Sequence, residues 1–201
     1  VVTTTEQAGQ AGPAGPTGPA GQAGTAEELD RVHVGEPTYF ELVEFLEDEA
    51  HALDENDLMG WLSRMAPDVQ YQMPVRTTRD RVDGSEFAEG MFLFDEDIMT
   101  LSIKVTRLAA TQSAWAEKPP SRTRRFVTNI RVFRVPGAAE EYRVTSSLLV
   151  TRNRYQESVL EFLSATRSDV IRRTGDGFKI AARTIYADQA TIGTQNLAIF
   201  L

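Results

Sequence analysis

The stretch Trp115-Ala-Glu-Lys-Pro-Pro-Ser-Arg-Thr-Arg-Arg-Phe-Val-Thr-Asn129 divides the chain in two. Adjacent prolines at 119 and 120 lack an N–H and fix φ, so they neither continue a helix nor sit inside a sheet. A strand starts after them, and the alternation of strand side chains puts Arg122 and Arg124 on one face. A large aromatic, a stiff elbow and forked cations side by side suit a contact surface, because interface centres favour aromatic and arginine anchors. The same Trp115 and loop would also serve to cap the domain's own core.

Downstream of the elbow the chain reads as an antiparallel meander. Runs over 122–135, 141–154, 157–173 and 178–187 are rich in Val, Ile, Phe, Tyr and Thr. Gly137 and Thr174-Gly-Asp-Gly177 mark hairpin turns between them. Upstream, the period is helical. Thr38 and Glu41 form a capping-box pattern after Pro37, and Leu42, Phe45, Leu46, Glu49 and Leu53 recur on one face, predicting a helix over 38–54. A shorter helix is expected over 57–65, capped by Asn56 or Asp57 and stopped by Pro67, with Trp61, Leu62 and Met65 on its apolar side. Val69, Tyr71, Met73 and Val75 then alternate with polar or proline positions, as in a strand. Ile98, Leu101, Val105 and Leu108 predict a helix over 95–109, with Asp95, Glu96 and Asp97 at its positive end. Helices first and long strands after them define an α+β fold, with helices packed on one face of a strongly curved, mostly antiparallel sheet. The expected shape is a cone with an apolar interior.

Residues 1–36 differ in kind. Gly9, Gly12, Gly15, Gly18, Gly21 and Gly24 recur every third position, with Pro13, Pro16 and Pro19 beside them. Triplets this few, without proline at the third position, favour an extended polyproline-II arm over a collagen triplex; 18 such residues reach roughly 55 Å at about 3.1 Å each. The expected organisation is an arm over 1–36 and a domain over 37–201. If ordered, the arm should lie against another subunit, and deletion of residues 1–35 should leave the domain's melting temperature nearly unchanged.

Composition narrows the function. A net charge of -8 argues against nucleic acid as a partner. No apolar run approaches the ~20 residues that a membrane span requires, and no signal-peptide core opens the chain. There is no cysteine, and the histidines are His33 and His51, placed at the arm's edge and on an acidic helix. A Rieske cluster takes two Cys and two His, and a mononuclear non-haem iron takes two His and a carboxylate. Neither set is available here. A cone-shaped fold becomes an isomerase or hydratase when a carboxylate lines its cavity, as in ketosteroid isomerase; the candidates are Glu161, Asp169 and Asp188. Glu161 and Asp169 share a strand face with Arg167 and Arg173, which reads better as a solvated, salt-bridged face. A small-ligand binding module is the other reading of such a cone.

The stretch 115–129 resembles the signature of the small (β) subunit of bacterial aromatic-ring-hydroxylating dioxygenases, Trp-Ala-Glu-x-Pro-Pro-Ser-Arg-x-Arg-x-x-x-x-Asn. Residues 56–76, ending Tyr71-Gln-Met-Pro-Val-Arg76, are similar to that family's helix–strand passage. Phe178-Lys-Ile-Ala-Ala-Arg-Thr-Ile-Tyr-Ala-Asp-Gln189 and Asn196-Leu-Ala-Ile-Phe-Leu201 look like its last strand and closing segment. Lys118 stands where an acidic residue is common, and Arg125 where His is common. The resemblance implies a nuclear transport factor 2-like fold and a cytoplasmic, non-catalytic role in an α3β3 hexamer. It implies an α subunit carrying a Rieske [2Fe-2S] cluster and mononuclear Fe(II), with electrons from NADH and no cofactor on this chain. The reaction implied is dioxygenation of an aromatic ring to a cis-dihydrodiol. The motif residues Trp115, Glu117, Pro119, Pro120, Arg122, Arg124, Asn129, Arg183 and Asp188 would then lie at subunit interfaces.

Overall fold

Leu42, Leu46, Glu49 and Leu53 recur on one side of a single helix, and that side is the one the fold buries. The computed structural model describes residues 30–78, 84–110, 120–156, 158–194 and 198–201. In chain order its elements are β1 (Arg31–Val32), α1 (Pro37–Asp54), α2 (Leu58–Leu62), β2 (Met65–Arg76), β3 (Phe87–Glu96), α3 (Ile98–Ala110), β4 (Arg122–Val135), β5 (Ala138–Asn153), β6 (Glu161–Thr174) and β7 (Gly177–Ala187). The strands form one sheet in the order β1-β4-β5-β6-β7-β2-β3, antiparallel throughout except where β2 runs parallel to β7.

Long strands of this length must coil, and the helices pack on the hollow side. One apolar cluster joins Trp61, Met65, Tyr71 and Met73 to Leu101, Leu148, Leu163, Ile185 and the segment Ile199–Leu201. A second joins Leu42 and Leu46 to Val32, Val132, Val144 and Ile171. Register between β5 and β6 runs unbroken from Glu141↔Arg172 to Arg152↔Glu161. In β4 a shift between Thr128 and Arg131 marks a bulge, where Asn129 adopts φ 54°. The expected turns are present: Gly137 at φ 77° and Gly177 at φ 110° take backbone conformations that favour glycine.

Local chemistry corrects several expectations. The capping box at Thr38 does not form; Glu36 is the cap residue of α1, without a side-chain cap, and Pro37 occupies the first turn. Glu36 accepts from the His33 backbone N–H instead, and Glu41 pairs with Arg173. Asp57 caps α2 by accepting from Gly60 N–H at 2.9 Å. That helix ends at Leu62, short of the expected 65, because Met65 already belongs to β2. Helix α3 begins at 98, since β3 runs through Glu96; Asp97 and Thr100 then cap reciprocally, N–H to side-chain oxygen at 2.8 and 2.9 Å. Strand β3 itself was not expected. Its residues 91–94, Met-Phe-Leu-Phe, are apolar on both faces, so they show no alternation.

The boundary at 36 also moves. Val32 is 1% exposed inside the second cluster, and β1 pairs Arg31 with Phe133 and Val32 with Val132. Residues 30–36 are therefore tied to this domain, by Val32 in the core and by Asp30 and Glu36 on Arg134, and residues 1–29 lie outside the described residues. A chain lacking residues 1–29 should melt with the full chain. One lacking 1–36 loses a buried valine worth about 1.5–3 kcal/mol and should melt roughly 3–12 °C lower by calorimetry.

Candidate functional site

The interior is not wholly apolar. Glu49 on α1, Arg167 and Asp169 on β6, and Arg183 on β7 are each 0% exposed. Asp169 and Arg183 face each other directly in the β6–β7 register, which places the pair on the sheet's inner face. Arg183 donates Nε–H and Nη2–H to the two Asp169 oxygens, both at 2.9 Å, in a bidentate fork. Its Nη1 and Nη2 also donate to Glu49, the latter at 3.0 Å, and Nη1 donates to the Leu201 carbonyl at 3.1 Å. Every N–H of this guanidinium is engaged. Trp61 Nε1–H donates to Glu49 Oε1 at 3.0 Å, and Arg167 Nη1–H reaches Oε2 at 3.3 Å.

The environment fixes these charges. Burial alone would push the Glu49 carboxyl up, but Arg183 and Arg167 outweigh it and hold it down to about 2. Burial would lower Arg183, and Asp169 with Glu49 instead hold it well above its ordinary value. Burial, with help from the Arg183 charge, lowers Arg167. Burial pushes the Tyr71 hydroxyl up to about 12. A second buried pair lies beside this set: Arg125 Nη1 on Asp54, with side chains 2% and 4% exposed. Arg167 Nη2 and Arg125 Nε are buried with no hydrogen-bond partner.

These contacts correct the reading of β6. Asp169 and Arg167 share the expected face and are paired, but the face is buried, not solvated. Both Asp169 oxygens are engaged by Arg183, whereas a cavity base must reach the proton of its substrate. Glu161 lies 3.7 Å from Arg152 at the strand's start. Asp188 is exposed and accepts from Ser164 Oγ.

Arg183 was expected at an interface; its side chain is interior and offers no surface to a partner. Trp115, Glu117 and Pro119 lie outside the described residues. Pro120, Arg122, Arg124 and Asn129 are exposed. Arg122 Nη2–H donates to the Tyr155 carbonyl at 2.8 Å, and Asn129 Nδ2–H to Ser147 Oγ at 3.3 Å. Next to them the sheet's outer side carries three large apolar groups that sequence reasoning missed. Phe126 and Leu149 are directly paired across β4–β5, and Phe162 on β6 pairs with Thr151, two residues along β5 from Leu149. They are 49%, 38% and 50% exposed. Their position inside otherwise alternating strands was the available signal.

His33, in the connection after β1, and His51, on α1, are both exposed. Among the described residues no group of His, Asp or Glu is placed to hold a metal ion. The donor set does not fit a Rieske cluster or a two-histidine iron.

Fold and site together define a cone-shaped α+β domain whose buried carboxylates Glu49, Asp54 and Asp169 are held in ion pairs and whose outer sheet face exposes Phe126, Leu149 and Phe162. The chain belongs to the ring hydroxylating beta subunit family, whose model matches residues 48–194. It is 35% identical over 167 residues to a biphenyl 2,3-dioxygenase subunit beta from Rhodococcus jostii (strain RHA1), covering 80% of this chain and 87% of that one. It is 34% identical over 165 residues to a benzene 1,2-dioxygenase subunit beta from Pseudomonas putida, with the same coverage. Among solved structures, naphthalene 1,2-dioxygenase with indole bound in the active site superposes with a TM-score of 0.75 at 25% identity, covering 87% of this chain and 92% of that one. A scytalone dehydratase-like protein from Novosphingobium aromaticivorans shares the fold at a TM-score of 0.57 and 12% identity, covering 79% and 89%. Together these place the chain in the nuclear transport factor 2-like fold.

Replacing Glu49 by Gln leaves Arg183 and Arg167 short of a buried countercharge, which typically costs about 3–5 kcal/mol. Urea unfolding of Glu49→Gln should show that loss at pH 7. The sign with pH follows from the depressed carboxyl. Its contribution is full above its ordinary 4.5 and is lost as pH falls toward about 2, so the gap between variant and parent should narrow over that window.

Proposed function

We propose that this chain is the non-catalytic β subunit of a Rieske-type dioxygenase that inserts both atoms of O2 into an aromatic ring, giving a cis-dihydrodiol. The α subunit would carry the [2Fe-2S] cluster and the mononuclear Fe(II), draw electrons from NADH, and bind the ring. The assembly would be a cytoplasmic α3β3 hexamer in which this chain joins both α and further β subunits. Family membership supports the reading, and so does a sequence without cysteine and with exposed, separated histidines. The relatives' names span biphenyl, benzene and the ring-bearing acids 3-phenylpropionate and cinnamic acid, so the class they support is an aromatic ring, hydrocarbon or acid.

The observation that carries the structural role is the outer sheet face. Phe126, Leu149 and Phe162 are large, apolar and contiguous, and Arg124 lies two residues from Phe126 on the same side of β4. Folded chains seldom leave such a ladder in water unless a partner covers it. Aromatic groups beside an arginine are the composition of an interface centre. Trp115, Glu117, Pro119, Pro120, Arg122, Asn129 and Asp188 would extend that interface. Against the isomerase or hydratase alternative, the buried carboxylates Glu49, Asp54 and Asp169 among the described residues are all engaged by arginines.

Two outcomes are expected. The purified chain should hold no stoichiometric iron by elemental analysis, and one tightly bound iron per chain would overturn the subunit reading. In the co-expressed complex, Phe126→Ala and Arg124→Ala should each weaken assembly by about 2 kcal/mol or more, roughly thirtyfold, while the chain's own melting temperature barely moves. Product regiochemistry of the remaining hexamer should be unchanged. Intact hexamer with altered product ratios would place this face at the reacting ring instead.

A further inference from the structure

The segment Ile199–Leu201 enters the cone and touches the charged interior from above. Leu201 is 0% exposed. Tyr71 Oη–H donates to the Leu201 carbonyl at 2.8 Å, and the Leu201 N–H donates back to Tyr71 Oη at 2.9 Å. Arg183 Nη1–H reaches the same carbonyl at 3.1 Å. Arg125 Nη2–H donates to the Phe200 carbonyl at 2.6 Å, and the Phe200 ring stacks on Trp61 at 4.2 Å and 24°.

The groups that grip the segment are held without it. Arg183 keeps its bonds to Glu49 and Asp169, Arg125 its pair with Asp54, and Trp61 its bond to Glu49. Open clefts of about 90 and 270 Å³ border the segment, both lined by Ala198, Ile199 and Phe200, and the larger one also by Arg125, whose Nε is unpartnered. A cradle held rigid by its own ion pairs around a short segment has the form of a ligand site with a ligand in it.

We infer that the cone holds a preformed peptide-binding site and that residues 199–201 are its intramolecular ligand. The chemistry selects the ligand class. Tyr71 needs both a donor and an acceptor, which one amino-acid residue supplies through its N–H and C=O. Trp61 needs an aromatic ring on the preceding residue. The buried cations Arg125, Arg167 and Arg183 are already matched by Asp54, Glu49 and Asp169, so a ring bearing a bare carboxylate adds unpaired charge and supplies no donor. The site therefore takes a short peptide with an aromatic residue followed by an apolar one, and discriminates against an aromatic acid such as 3-phenylpropanoate.

Cutting the chain after it has folded separates binding from folding. A protease recognition sequence is inserted after the exposed Gly193, the full chain is folded and cleaved, and a fluorescein-labelled, C-terminally amidated peptide of sequence 194–201 is added, so that Leu201 offers an uncharged C=O. A short tether supplies an effective concentration of about 1 mM, so a peptide with a Kd near 10 µM would be about 100-fold favoured when attached. The cleaved body is expected to keep its cooperative melting transition and to exchange its tail for the labelled peptide, while the uncut chain excludes it. Tyr71→Phe in the cleaved form should weaken uptake about ten- to a hundredfold, as expected for the loss of two buried hydrogen bonds. Loss of the cooperative transition on cleavage would overturn the inference, since the tail would then be part of the fold. A folded body that takes up no peptide would overturn it too, as would 3-phenylpropanoate competing as well as unlabelled peptide.

Discussion

Arg183 joins three separate parts of the chain through one planar group. Its fork meets Asp169 from the neighbouring strand, its far side meets Glu49 from α1, and its remaining N–H meets the main chain of Leu201. The β6–β7 register alone already sets the Asp169 contact. What the Glu49 contact adds is the axial position of α1. Leucines at 42, 46 and 53 give that helix an apolar stripe, but hydrophobic contact is non-directional, and a slide of one turn would bury nearly as much. A charge-assisted fork has one geometry. Removing charges from water is costly, so the cluster's value lies less in net stability than in excluding alternatives that leave a buried charge unpaired.

The same constraint separates inside from outside. A cone-shaped fold serves catalysis when an inner carboxylate is free to exchange a proton, and here the inner carboxylates are committed to guanidinium groups. On the outer side of the sheet Phe126, Leu149 and Phe162 are exposed beside exposed arginines. A chain with a locked interior and an apolar outer face is suited to holding other subunits in place. Its place in the ring hydroxylating beta subunit family agrees with that division.

Much of this was legible from residue order. The long strands, their glycine turns and the first helix followed from period and punctuation, and the signature at 115–129 led to the family. Other features were hidden for identifiable reasons. Glu49 fell in step with Leu42, Leu46 and Leu53, yet a glutamate in an apolar stripe reads as an intrusion until its arginine partners, more than a hundred residues away, are seen. Arg183 looked like an interface cation because nothing local shows that Asp169 lies opposite it. Strand β3 escaped because both its faces are apolar, which removes the alternation that marks a half-buried strand. The capping box at Thr38 failed because Pro37 had already set the helix start and Glu41 found Arg173 instead. The closing segment carried a family likeness but no local sign that its backbone reaches Tyr71.

The central claim is that the buried charges are paired with one another, with Glu49 held ionised between Arg183 and Arg167. Carboxyl-carbon NMR of the chain labelled at glutamate, with Glu49→Gln used to assign the signal, reads this directly. The account predicts a Glu49 resonance that stays flat from neutral pH down through 4.5 and moves only toward a midpoint of about 2. A midpoint between 5 and 8, where a catalytic carboxylate works, would contradict it.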